Sequence, residues 1–249
     1  MSIHVHKTGL NKTLGQKSAS IVTTNLVGNW DPSTGIETAY WDNQVSSGNN
    51  LRRFNSIAKS NSGNCHYWAF DGTDDYLGPA SSGYGGSAFQ VVLTSAFSLS
   101  QWVKWDTGKE HNLFGFNNGL SWVFRVEIGV TTANKLTIDS NPNLGDPIAI
   151  DYTFTDDTWH YVTVTYDGSD DFLVYVNGSF VGGGSITEAP WGTADMYIGR
   201  YDSNYTDSTI RVGKVHVYNA QLKNSQVRQN FLASHVINNT RVYGATYTA

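Results

Sequence analysis

At 249 residues the chain can form one large all-β domain or two small ones, and a single sandwich of that length buries a core without covalent staples. Only 39% of the residues are hydrophobic and 15% charged, but 13% are aromatic and 25 are glycine, which excludes a disordered chain and suits short strands joined by polar turns. A net charge of −5 leaves no basic footprint for nucleic acid, and the single cysteine, Cys65, excludes an intrachain disulfide. Cys65 sits in Cys65-His66-Tyr67-Trp68 and reads as a small buried thiol. Arg52-Arg53 reads as two solvated surface charges.

In chain order, residues 1–20 are polar and read as an arm or lead-in. Met1 to Lys7 lack the apolar stretch of a secretory signal, and His4 and His6 read as solvated. No apolar run approaches the roughly 20 residues of a membrane helix, so no membrane insertion is expected. Ile21 to Val27 turn apolar and β-branched, and Asn29 to Gly35 carry strong turn chemistry. Strand signals follow at Tyr67–Phe70, Phe89–Leu93, Phe97–Val103, Leu120–Ile128 and Leu136–Ile138. Trp159 to Tyr166 places Val162 and Val164 on one face and Thr163 and Thr165 on the other. Asn177-Gly178 between apolar runs predicts a hairpin, because a type I′ turn needs positive φ at both central residues. Met196–Gly199 and Ile210–Tyr218 complete the strands. Leu222, Val227, Phe231, Leu232 and His235 form a helical stripe that Asn224 or Ser225 would cap. With no internal repeat and no long linker, the reading is an arm over 1–20, one sandwich over 21–237 and a tail over 238–249.

Several segments, in order, resemble the laminin-G-like jelly-roll family of the concanavalin A-like superfamily. They are Phe70-Asp71-Gly72-Thr73-Asp74-Asp75-Tyr76-Leu77, Phe97 to Val103, Trp159 to Gly168, Val174-Tyr175-Val176-Asn177-Gly178, Tyr197-Ile198-Gly199-Arg200 and Gly213 to Asn219. The resemblance implies an all-β, two-sheet antiparallel jelly-roll sandwich with a short C-terminal helix. Trp68, Trp102 and Trp159 fall in its strand motifs and read as core. Asn29-Trp30-Asp31-Pro32-Ser33 and Tyr40-Trp41-Asp42 resemble the lead-in of such modules in phage structural proteins.

The carboxylates are the first candidates for chemistry. A glycosidase needs two of them flanking the scissile bond. The chain has only four glutamates, Glu37, Glu110, Glu127 and Glu188, and none has a partner at the Glu-x-Asp-x-x-Glu spacing of the glucanases. No Gly-x-Ser-x-Gly elbow is present, and His160 reads as packing. The expectation is therefore not an enzyme. Laminin-G-like domains often hold calcium at a loop rim, which makes Asp74, Asp75, Asp202 and Asp207 candidates for Ca²⁺; ordinary Asx turns remain the alternative. No cofactor is required. Glycan binding needs exposed aromatics beside amides and carboxylates, and Trp191, Tyr201, Asn204 and Tyr205 fit that description; packing at the core edge or a subunit contact is the alternative.

Together these features predict a non-catalytic virion structural protein: a capsid decoration, head fibre or tail-associated subunit with a lectin-like sandwich for surface display. Its partners would be other virion proteins, copies of itself and cell-surface glycans, with no nucleic acid. A free, extracellular carbohydrate-binding module is the alternative, and a glycoside hydrolase a third reading.

Overall fold

The computed structural model describes residues 20–34, 39–46, 49–79, 89–105, 110–119, 122–129, 135–140, 147–155, 157–186, 192–200, 208–237 and 240–241. Residues 1–19 of the expected arm and 242–249 of the expected tail lie outside them. In chain order the strands are β1 (Leu26–Trp30), β2 (Tyr40–Trp41), β3 (Leu51–Phe54), β4 (Ala58–Ser62), β5 (Cys65–Ala69), β6 (Tyr76–Pro79), β7 (Gln90–Val92), β8 (Phe97–Trp105) and β9 (His111–Asn117). They continue with β10 (Trp122–Ile128), β11 (Leu136–Ser140), β12 (Ile148–Ile150), β13 (His160–Tyr166), β14 (Asp171–Val176), β15 (Ser179–Ser185), β16 (Thr193–Tyr197) and β17 (Ile210–Tyr218). Helix α1 (Asn224–His235) follows, then the small pair β18 (Val236–Ile237) and β19 (Thr240–Arg241).

The strands build an antiparallel sandwich. The rear sheet runs β15-β14-β13-β8-β17-β5-β4, with β1 also on β17, and the front sheet runs β12-β11-β10-β9-β16-β7. A three-stranded sheet, β2-β3-β6, joins the front sheet through a bridge between Leu77 and Ile198. Alternation decides what lies between the layers. From the rear come Phe97, Leu99, Val103, Val162, Val164, Val215 and Val217, and from the front Phe114, Phe116, Phe124, Val126 and Met196, all buried in one cluster. Phe124 of β10 stacks on Phe172 of β14 at 5.3 Å and meets Phe97 of β8 at 5.8 Å, so aromatic rings tie the two sheets together.

The expected hairpin forms between β14 and β15. Asn177 and Gly178 take φ of 52° and 79°, the left-handed pair that the turn requires. The Asn177 side chain also accepts the Tyr161 N–H at 2.9 Å, which ties the turn to the start of β13. A Cβ on Gly178 would lie 3.2 Å from Phe231 Cβ, so α1 seats directly on this turn.

Helix α1 covers the outer face of the rear sheet. Trp102, expected in the core, is fully buried here, in a second core cluster against Tyr161 at 5.2 Å and Phe231 at 5.6 Å. Cys65 belongs to the same cluster, and burial pushes its thiol up to about 12. Trp159 is only partly buried and packs on Tyr67. The stripe is Val227, Asn230, Phe231, Ser234 and His235; Leu232 is 40% exposed, because the sheet facing α1 is partly polar and takes Asn230 and Ser234 in its place. Neither Asn224 nor Ser225 caps the helix. Its first residue is Asn224, and the Gln226 side chain accepts the Lys223 backbone N–H at 2.9 Å, the returning half of a capping box.

Three polar side chains beneath α1, Trp102, Ser234 and Asn230, are paired. Trp102 Nε1 donates to Ser234 Oγ at 2.9 Å, Asn230 Nδ2 to the Tyr218 hydroxyl at 2.9 Å, and the Val22 N–H to Asn230 Oδ1 at 2.8 Å. The Tyr218 hydroxyl in turn donates to the Val22 carbonyl at 3.0 Å, so residues just after the arm are bonded to the closing helix. His216 is fully buried 3.0 Å from the Tyr161 hydroxyl. Burial, helped by Lys214, pushes its imidazole down to about 3, so it sits there neutral.

Candidate functional site

The outer face of the front sheet is polar, and its register brings distant residues into rows. One row runs across the strands: Asp139 opposite Arg125, Arg125 opposite Gly115, and Gly115 opposite Tyr197. The Tyr197 ring then lies over Gly78 of β6, where a Cβ would come within 2.7 Å of it. Only glycine at position 78 allows that approach. The row continues from Gly78 to Arg52 and from Arg52 to Tyr40. A second row sets Trp122 opposite Asn117, Asn117 opposite Asp195 and Asp195 opposite Gln90, whose amide donates to Asp195 at 2.8 Å.

Arg125 organises the centre. Its Nη2 lies 2.7 Å from Asp139 Oδ2, its Nη1 2.9 Å from Glu127 Oε1, and its guanidinium 4.5 Å from the centre of the partly exposed Trp122 ring. Glu127 pairs in register with Asn112 of β9. Its side chain is 1% exposed, and burial, with Glu110 and Asp139 close by, pushes its carboxyl up to about 8 against the pull of Arg125. Asn112 is 3% exposed, and its Oδ1 has no hydrogen-bond partner among the described residues. The face thus offers an aromatic ring, amide and carboxyl groups, and one cation already shared by two carboxylates.

Beside it, on the three-stranded sheet, Arg52 and Arg53 depart from the reading as two solvated charges. The Arg52 guanidinium lies 4.9 Å from the Phe54 ring centre, Phe54 stacks on Tyr76 at 4.2 Å and 9°, and the Arg200 guanidinium lies 4.2 Å from Tyr76 on this ladder. Arg53 turns the other way, over Trp68 at 4.7 Å, and donates to the Ile57 carbonyl at 3.0 Å.

The expected calcium ligands divide. Asp74 and Asp75 come together, and Asp71 joins them, with one carboxylate oxygen from each within 4.8 Å of the others. Asp75 is 3% exposed; its Oδ2 accepts the Asp71 N–H at 3.1 Å, while its Oδ1 has no hydrogen-bond partner among the described residues. Burial raises its pKa, and Asp71 and Asp74 add to the rise. A buried, unpartnered carboxylate oxygen beside two exposed ones fits a hard cation such as Ca²⁺. Asp202 and Asp207 lie outside the described residues, as do the glycan candidates Trp191, Tyr201, Asn204 and Tyr205. In sequence these positions flank residues 192–200, the segment that carries β16 across the polar face.

Residues 71–228 match a laminin-G-type family described as the concanavalin A-like lectin/glucanases superfamily. The chain belongs to that superfamily. No curated protein matches it in sequence. Among solved structures it is similar to the binding domain of Paraclostridial mosquitocidal protein 1, with TM-score 0.62 and 16% identity over 84% of this chain and 52% of that one. It is also similar to Trypanosoma rangeli sialidase, with TM-score 0.61 and 19% identity over 86% of this chain and 33% of that one. The botulinum neurotoxin serotype G binding domain gives TM-score 0.59 and 14% identity over 83% of this chain and 50% of that one. The chain therefore spans a third to about half of the structures it resembles, and at these identities the likeness is one of fold.

Within this superfamily fold, sequence reasoning passed over the Arg125 cluster. The signal that marks it is a charged residue at every second position of an otherwise apolar strand, Arg125-Val126-Glu127 in β10. Glu110 and Glu127 lack a catalytic spacing in sequence, yet the pairing of β9 with β10 brings them together.

Proposed function

We propose that the chain is a non-catalytic, lectin-like adhesion module that holds a glycan on the polar face of its front sheet. The observation that carries this is the cross-strand arrangement around Arg125: a partly exposed indole beside a fixed set of amide and carboxyl groups, on a sandwich of the lectin superfamily. Sugars are recognised by this combination, because an aromatic ring covers the C–H face of a pyranose while amides and carboxylates bond its hydroxyls. Neighbours that are binding domains support the same reading. A glycan array probed with the whole chain should give a specific hit, and Trp122→Ala should weaken it at least about tenfold with little change in melting temperature. No hit on any glycan overturns the reading.

The sialidase among the neighbours, and the raised carboxyl of Glu127, favour glycoside hydrolysis as the second reading. Against it, Arg125 holds Glu127 and Asp139 at once, so neither carboxylate is left open to a scissile bond. Release of reducing sugar that disappears in Glu127→Gln would establish the hydrolase.

The setting we propose is a virus particle, with other virion proteins and further copies of the chain as partners. The phage-like lead-in supports it. Co-banding of the chain with purified particles in a density gradient tests it separately from glycan binding.

A bound calcium ion at Asp71, Asp74 and Asp75 is proposed as a structural element rather than a requirement. Calcium added at about 1 mM after EDTA treatment should raise the melting temperature by a few degrees, since a ligand of the native state stabilises it by mass action. Asp75→Asn should abolish the rise. Identical melts in EDTA and calcium would remove the ion.

A further inference from the structure

We propose that Arg52, held by the ladder Arg52–Phe54–Tyr76–Arg200, is the contact for an acidic group on the bound saccharide, a carboxylate or a sulfate ester. This rests on the lectin-like reading and names the ligand class. Phe54 stands directly opposite Tyr76 across β3 and β6, and the two rings stack face to face. Arg52 lies against Phe54 and Arg200 against Tyr76, which places a guanidinium beside each ring of the pair. This stacking fixes cations in place; it pre-orients the planar guanidinium fork that matches a carboxylate or sulfate.

Arg52 differs from Arg125, the cation at the centre of the polar face. Arg125 is joined to two carboxylates, whereas among the described residues no carboxylate pairs with Arg52. In a chain of net charge −5 such a cation is conspicuous. Tyr40 stands opposite Arg52 on β2 and is 36% exposed, so an open aromatic side chain lies within a cross-strand neighbour's reach of the guanidinium. Aromatic ring and fork side by side form a minimal site for an acidic sugar. The ladder also joins the polar face, since Tyr76 and Tyr197 are 6.3 Å apart and the Arg200 guanidinium is 5.9 Å from the Tyr197 ring. One oligosaccharide can therefore lie along the row from Arg125, which the Trp122 ring flanks, to Arg52.

The test is a binding titration of the whole chain against polygalacturonate, dextran sulfate and neutral dextran. Tight binding to one or both acidic polymers and none to dextran is expected; which polymer binds separates carboxylate from sulfate. Arg52→Gln should weaken that binding at least about tenfold. Arg52→Lys, which keeps the charge but loses the fork, should weaken it less, and Lys223→Gln, an equal charge loss on the exposed helix start, should leave it unchanged. Acidic-polymer binding that survives Arg52→Gln, or falls equally in Lys223→Gln, overturns the inference. A chain that binds only neutral glycans on the array overturns it as well, but leaves the lectin reading standing. A chain that binds no glycan overturns both.

Discussion

Trp102→Ala is expected to cost roughly 3–5 kcal/mol, the range for removing a fully buried tryptophan from a packed site. The indole sits between the rear sheet and α1, in contact with Tyr161, Phe231 and His235, and its N–H is bonded to Ser234. Removing it takes away the middle of that cluster and leaves α1 held by Val227, packed with Tyr175, Tyr218 and Leu222, and by the bonds of Asn230. A chain of this size loses about 2–4 °C per kcal/mol, so the melting temperature should fall by roughly 6–20 °C. Urea unfolding of the variant gives the number directly. Ser234→Ala, which removes only the hydrogen bond, should cost about 1 kcal/mol. If both substitutions cost about the same, the packing role assigned to Trp102 is wrong.

The second large effect is expected from Arg125→Gln, and it should depend on pH. Glu127 has its pKa raised to about 8 in the folded protein from an ordinary value near 4.5. A carboxyl raised on folding favours the native state while it is protonated, so its contribution is fully present below about 4.5 and is lost as pH rises through about 8. Arg125 limits that loss. Without it, an ionised Glu127 is buried with no counter-charge, which costs roughly 3–5 kcal/mol. The variant should therefore be far less stable than the parent at pH 9 and much closer to it at pH 5. The double variant Arg125→Gln, Glu127→Gln should regain most of the difference at pH 9. Denaturation curves at the two pH values decide the matter: a gap of equal size at both would mean that Glu127 is not the residue responsible.

The parts of the fold that were legible are those whose cause is local. Asn177-Gly178 needs only its own backbone preference to make a turn, and Val162-Thr163-Val164-Thr165 needs only the two-residue period of a strand. Trp102 was read as core and is fully buried, but its place under α1 was not legible, because alternation alone does not say which face of a sheet a helix covers. The site was mostly illegible for a related reason. Arg52 and Tyr76 belong to strands separated by a full hairpin, and Glu110 reaches Glu127 only through the pairing of β10 with β9, and β9 is the strand that the apolar pattern does not mark. Register creates these neighbours, and no spacing within one segment encodes it. Asp71 lay inside a quoted motif yet was missed as a ligand, since its contribution appears only when the turn folds Asp71 and Asp75 together.

The bonds of Val22 to Asn230 and Tyr218 carry a geometric consequence. They pin the chain just after its first segment to the same outer surface that α1 occupies just before its last one. Both points of attachment are thus on the rear, and the polar face with Arg125 and Tyr197 looks the opposite way. Any scaffold that grips the chain through segments joined at residue 20 or residue 237 pulls on the back of the sandwich and leaves the front outboard. A module mounted this way needs no hinge or rearrangement to present its polar front face, and load applied through either tether runs into the helix and the rear sheet rather than across that face.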